Sequence, residues 1–311
     1  MPVPVTVVFL GGVGRSGSTL LSRVLDRVPG FVSVGEACNL WNQGVINNRT
    51  CGCGRPFDAC PFWLSVGEEA FGGWKRADPQ AVNAQRLRVE RIRRLPLMIA
   101  PQLSSAYARD FKEFADVTTR VYGAISRVSG DAVVVDNSKK PSMAFLLHHL
   151  DAIDLRVVHL VRSPYGVAHS WAKRVERPDT DQEEEMQRLS VTSSSVRWMT
   201  VNALFEALRR AGVPTLRLRY EDFVAAPRTR LEGILDFLGE RRRPDELGFV
   251  DNQSADLSGD HSVWGNPMRL RVGREAMRLD DEWQRRMTPQ DRRLVTALTG
   301  PGQLLYGYRG R

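Results

Sequence analysis

The stretch VTVVFLGGVGRSGSTLL, residues 5–21, decides the fold. Val7, Val8, Phe9 and Leu10 form an unbroken apolar run, which reads as a strand covered on both faces. Gly11, Gly12, Gly14 and Gly17 then open a turn, and Ser18 and Thr19 start an apolar helical pattern. A turn of this kind offers backbone N–H groups and the positive end of a helix to an anion. A Walker A loop has Gly, four residues, then Gly-Lys-Ser/Thr. Here Gly12, Gly17 and Thr19 keep the spacing, but Ser18 stands in the lysine's place. The loop is either an anion cradle that works without that lysine or a plain turn with Arg15 in solvent.

Working outward, short apolar runs alternate with helical patterns. GFVSVG ends at Glu36, AVVVD covers 132–136, LRVVHLV covers 155–161, and PTLRLRY ends at Tyr220. A helix is expected after Pro164, a residue suited to the first turn, and SVRWMTVNALFEALRRAG stops at the capping Gly212. This rhythm predicts an α/β fold with a central parallel sheet of about five strands flanked by helices. Residues 38–130 break it: a Gly/Cys/Pro-rich loop gives way to helical patterns. There Val117, Val121, Ile125 and Val128 recur at core-facing spacing. With no repeat and no long Gly/Ser linker, residues 1–311 read as one domain with a cap insertion at about 38–130.

The formal charge of +8 points to an anionic partner or simply to an arginine-rich surface. No basic tail or nucleic-acid-reading motif is present, so no nucleic-acid partner is expected. No apolar run reaches membrane-spanning length, so no transmembrane segment is expected. The opening MPVPVTVVFLGG has no cationic leader, so a cytoplasmic location is expected. Cys51, Cys53 and Cys60 cluster in CGCGRPFDACPFW, but the one-residue gap is unusual for a metal pair. Buried thiols, a disulfide, or zinc with Cys38 as fourth ligand are the alternatives.

Ligands of open α/β sheets gather at the carboxyl ends of the strands. The glycine loop with Arg15, Glu36, Asp136 to Lys139, and Arg162 all fall at such ends. In HLVRSPYGVAHSW, Arg162 and Ser170 can grip a phosphate, with Arg174 one turn beyond Ser170. Taken singly, each also suits a solvated surface. Lys139 and Lys140 compete for one role, His159 reads as a core histidine inside an apolar strand, and His148 and His149 lack metal-ligand spacing.

GRSGSTLL followed by LVRSPYGVAHSW resembles the sulfotransferases that use 3′-phosphoadenosine 5′-phosphosulfate (PAPS), with adenosine 3′,5′-bisphosphate (PAP) as product. SVGEACNLW, VVVDNSKKP, LRLRYEDFVAAPRTRLEGILDFLG and HSVWGNPMR extend the likeness over nearly the whole chain, and CGCGRPFDACPFW looks like a loop of bacterial members. The resemblance implies a phosphate-loop-like sheet and an acceptor held under a variable cap. It implies a phosphate cradle of Gly14, Arg15, Ser16, Gly17, Ser18 and Thr19, and a 3′-phosphate clamp of Arg162 and Ser170, helped by Arg174. Tyr220 falls near the donor, and Gly265, Asn266 and Arg269 fall in a loop that closes over it. Catalysis is expected from Glu36 as general base, with Arg15 and Lys139 stabilising the transferring group. No metal is implied. The acceptor is expected to be a hydroxyl-bearing small molecule, glycan or lipid. Tyrosine-type members carry a basic residue where this chain has Cys38, which argues against a tyrosine-peptide acceptor. The competing functions are a kinase or other phosphotransferase, which needs the loop lysine and an aspartate such as Asp136 for magnesium, and a non-catalytic nucleotide-binding protein.

Overall fold

A computed structural model of the protein describes residues 3–100, 103–177 and 184–308. Five parallel strands form the central sheet: β1 Val5–Gly11, β2 Phe31–Gly35, β3 Val133–Asp136, β4 Ile153–Val161 and β5 Thr215–Arg219, in the order β2-β3-β1-β4-β5. In register, Phe9 lies opposite Asp136 on one side and Val157 on the other. β1 is thus the central strand, which is why its apolar run does not alternate.

Neighbouring side chains of β1 serve opposite cores. Val7 and Phe9 pack under α5 (Ser105–Val128), α6 (Pro141–His148) and α8 (Val191–Arg210). Val8 and Leu10 pack under α1 (Ser18–Asp26), α9 (Tyr220–Ala225) and α10 (Pro227–Leu238). Leu21, Val24 and Leu25 of α1 are fully buried, each contributing about 1.5–3 kcal/mol of burial free energy. His159 is the expected core histidine: it is fully buried, its Nε2 lies 2.9 Å from Asn202 Oδ1, and burial pushes its pKa down to about 4.

The segment between β2 and β3 carries α2 (Pro61–Phe71), α3 (Pro79–Val89), α4 (Leu95–Ile99) and α5. Of the stripe expected on α5, Val121 and Ile125 are buried, and Val117 and Val128 pack at the core's edge. Beyond the sheet, β6 (Ser254–Leu257) pairs antiparallel with β7 (Gly273–Ala276). The loop between them returns across the ends of β1 and β2. The fully buried Arg23 of α1 ties it down, donating to the carbonyls of Ser258 (2.8 Å), Met268 (2.9 Å) and Arg271. α7 (Pro164–Ala172) follows β4, and α11 (Pro289–Leu305) packs on α7 and α8. Among the described residues, no helix is long and apolar enough to cross a membrane.

Candidate active site

α1 leaves β1 toward one face of the sheet, while α7 leaves the adjacent β4 toward the other. Their diverging starts leave a crevice at the strand ends, the usual ligand position in this architecture. It opens into a cleft of about 770 Å³ lined by Gly14, Arg15, Gly17, Ser18, Thr19, Glu36, Lys139, Arg162, Ser170, Tyr220, Gly265 and Asn266. That volume is within the range of ligand sites.

The start of α1 is built to receive an anion. Gly17 precedes it at φ +89°, with no side-chain cap on the helix and no acidic residue in its first turn. Leu20 N and Leu21 N donate to Gly17 O, which leaves the N–H groups of Ser18 and Thr19 to face an anion, and the helix dipole favours a negative group there. A Cβ at Gly17 would drive into the Tyr220 ring, so only glycine admits this close approach. Arg15 is also in the left-handed region, at φ 73°, and its guanidinium lies over the Trp171 ring at 5.2 Å. Trp171 in turn donates to Gly14 O at 3.1 Å, pinning α7 to the loop.

Arg162 is nearly buried at the end of β4. Its guanidinium lies over the Tyr220 ring at 4.6 Å and donates to Arg15 O (3.0 Å) and Asp280 Oδ2 (3.1 Å). Burial pushes the Tyr220 hydroxyl's pKa up. Burial pushes Asp280 up as well, but Arg162 and Lys173 outweigh it and hold the carboxyl below its usual range. Asp280, on the late loop, thus places a carboxylate against the cation at the strand end.

Across the cleft, Lys139 Nζ donates to Glu36 Oε1 (2.8 Å) and to Asn137 O (2.7 Å), while Asn39 Nδ2 donates to Glu36 Oε2 (2.9 Å). Lys139 is itself left-handed, at φ 60°. Lys140 also lines the cleft but sits beside the buried Glu90, 4.0 Å away. The cleft continues over Lys140 and Arg197 into a groove of about 440 Å³ that includes Arg91, Ile92 and Arg93. Asp136 is fully buried, accepting from Tyr122 Oη (2.5 Å), Ser138 N (2.7 Å) and Ser138 Oγ (2.5 Å). Burial pushes its pKa up, partly offset by those hydrogen bonds.

Four sequence expectations need correction. The Ser16 side chain is fully buried and does not line the cleft. α7 stops at Ala172, so Arg174 leaves the face of Ser170; it is exposed and pairs with Glu185. Arg269 turns inward from the turn at Pro267–Leu270 and donates to Ser262 O (3.0 Å) and Thr50 O (2.7 Å), away from the cleft. Cys38 is buried elsewhere, its N–H donating to Ser138 Oγ at 2.9 Å. Of the alternatives left open for Cys51, Cys53 and Cys60, the disulfide is not formed, and the residue that joins the three thiols is His261 in place of Cys38. The sequence reading missed Trp171, Arg197, Arg271, Arg278 and Asp280, all in the cleft wall. Only Trp171 carried a usable signal, one residue beyond Ser170 in the motif already singled out.

Comparison with known proteins agrees with this fold. No curated protein sequence matches significantly. The sulfotransferase domain from the Synechococcus PCC 7002 olefin synthase shares the fold, with a TM-score of 0.52 and 22% identity over 96% of each chain. The sulfotransferase domain from the curacin biosynthetic pathway does too, with a TM-score of 0.52 and 18% identity over 96% of this chain and 99% of that one. A model of the sulfotransferase family matches residues 7–244. With most of its length covered by that match, the chain belongs to the sulfotransferase family.

Proposed function

We propose that the protein moves a sulfuryl group from PAPS to a hydroxyl of a small-molecule, carbohydrate or lipid acceptor. The carrying observation is that the uncapped start of α1 and the Glu36–Lys139 pair line one cleft. The donor set fits a nucleotide with anionic groups at both ends. Arg15 and the first N–H groups of α1 would hold the 5′-phosphosulfate, and Arg162 with Ser170 the 3′-phosphate. PAPS supplies an activated sulfuryl group with a phosphate leaving group.

Glu36 accepts the hydroxyl proton of the acceptor as its oxygen attacks sulfur in line with the leaving group. Lys139 orients that carboxylate and, with Arg15, stabilises charge on the bridging oxygen. The cleft walls hold the two reactants in place, which removes much of the entropic barrier. The acceptor enters beside residues 38–130, acting as the cap, along the groove edged by Arg91, Arg93, Lys140 and Arg197.

Phosphoryl transfer from ATP is the less favoured reading. The loop lysine is replaced by Ser18, and the Asp136 carboxylate is bonded internally. Incubation of the protein with 35S-labelled PAPS and a metabolite extract should give a labelled product, with PAP inhibiting transfer. Magnesium-dependent ATP turnover without PAP binding would overturn the proposal.

A further inference from the structure

The cysteine loop plays no part in the chemistry above, yet it is built to a specific geometry. Cys51, Cys53, Cys60 and His261 bring their ligand atoms within 4.8 Å of one another. Cys53 Sγ lies 3.6 Å from Cys60 Sγ, and His261 Nδ1 lies 3.5 Å from Cys60 Sγ and 3.9 Å from Cys51 Sγ. In a tetrahedral zinc site with Zn–S about 2.3 Å and Zn–N about 2.05 Å, the edges are about 3.8 Å for S–S and about 3.6 Å for S–N. The three separations fall on those edges. A pair of hydrogen-bonded thiols accounts for one contact, whereas here four soft donors from two distant segments converge on one point.

The backbone holds these donors without help from the cleft. Cys51 N donates to Arg55 O (2.8 Å) and Gly54 N to Cys51 O (2.9 Å), a tight turn that carries Cys53 back beside Cys51. Cys60 immediately precedes Pro61, at the start of α2. The His261 ring stacks on Phe62 with centroids 4.4 Å apart, and its carbonyl accepts from Trp63 Nε1 at 3.0 Å. The buried Arg269, expected in the nucleotide loop, instead braces this junction through Thr50 O and Ser262 O, next to Cys51 and His261. Cys51 and Cys60 are fully buried.

We propose that Cys51, Cys53, Cys60 and His261 bind one structural zinc ion that fastens the 51–60 loop to the segment forming the late wall of the cleft. Three thiolates and an imidazole in tetrahedral array select zinc over harder cations. Four protein ligands leave no open position, so the ion does no chemistry of its own. Its effect on the cleft is positional. Two residues past His261, Val263 N donates to Val34 O at 3.0 Å, joining the late wall to β2 just before Glu36. Gly265 follows at φ 137°, where a Cβ would press on Glu36 Oε1 at 3.2 Å.

The test is made on the full chain, produced with zinc in the medium and dialysed into metal-free buffer. Plasma mass spectrometry should find about one zinc per chain, released when an organomercurial blocks the thiols. X-ray absorption should fit three sulfur neighbours near 2.3 Å and one nitrogen near 2.0 Å. Cys60→Ser and His261→Ala should lose the tightly held metal, while Cys38→Ser should keep it. If the two ligand variants fail to fold, the wild-type stoichiometry and absorption spectrum decide alone. A wild-type chain without metal whose four thiols all titrate would overturn the proposal. So would a Cys53–Cys60 disulfide in a non-reduced peptide map, or zinc retained by a soluble Cys60→Ser variant.

Discussion

Residues 11–19 and residues 260–280 face the same cleft, yet they are built by different means. The first wall is one contiguous turn between β1 and α1, and it presents backbone N–H groups, small hydroxyls and Arg15. The second is a long excursion with little regular structure. Struts from elsewhere hold it: Arg23 on the carbonyls of Ser258, Met268 and Arg271, Val263 on β2, and Arg162 on Asp280. In the proposed function the strand ends bind and react, while the late wall sets the Asp280 carboxylate against Arg162.

The largest expected effect tests the chemistry where the walls meet. Glu36→Gln keeps the shape of the side chain and an acceptor for Lys139 but removes the proposed base. Turnover should fall roughly 10²–10⁴-fold with PAP affinity little changed. Steady-state sulfate transfer and PAP titration calorimetry measure the two, and full activity in this variant would remove Glu36 from the mechanism. Next in size is Arg162→Ala at the end of β4. Loss of charge-assisted hydrogen bonds worth about 1.5–3 kcal/mol should weaken PAP binding by about 10–100-fold in the same titration. A loss below about twofold, less than one weak hydrogen bond, would mean that the 3′-phosphate is held elsewhere. The smallest effect comes from the late wall. Asp280→Asn removes the carboxylate that competes for Arg162, and a half-exposed pair of this kind is worth about 0.2–1 kcal/mol. PAP should therefore bind about 1.5–5-fold tighter, and weaker binding would show that Asp280 supports the site.

The same contrast explains what could be read from the amino-acid order. The glycine loop, Glu36 and Arg162 directly follow strands and Lys139 comes three residues after β3, and a strand end is marked locally by an apolar run stopping at a polar residue. The sheet was legible for the same reason, because runs such as Val133–Val135 and Val157–Val161 need cover on both faces. Arg174 failed because its reading assumed one more turn of α7, and the helix terminates at Ala172. Arg269 was placed over the nucleotide by the resemblance of HSVWGNPMR alone, whereas here its buried side chain donates to two carbonyls away from the cleft. His261 opens the quoted HSVWGNPMR motif but carries no sign of its cysteine partners, and Asp280 had no local signal at all. Their partners lie in distant parts of the chain and meet them only through the tertiary fold.

Arg15 and Lys139 share one further property: each carries a cation of the proposed mechanism on left-handed backbone, a conformation that costs a side-chain-bearing residue about 1–2 kcal/mol. Glycine at either position would relieve that cost and abolish the charge. In the proposed mechanism those glycines would disarm the cleft, and at Lys139 the relief is set against the lost hydrogen bonds to Glu36 and Asn137. At these two sites resilience and turnover pull in opposite directions, so a search for a hardier form of this protein should hold both residues fixed.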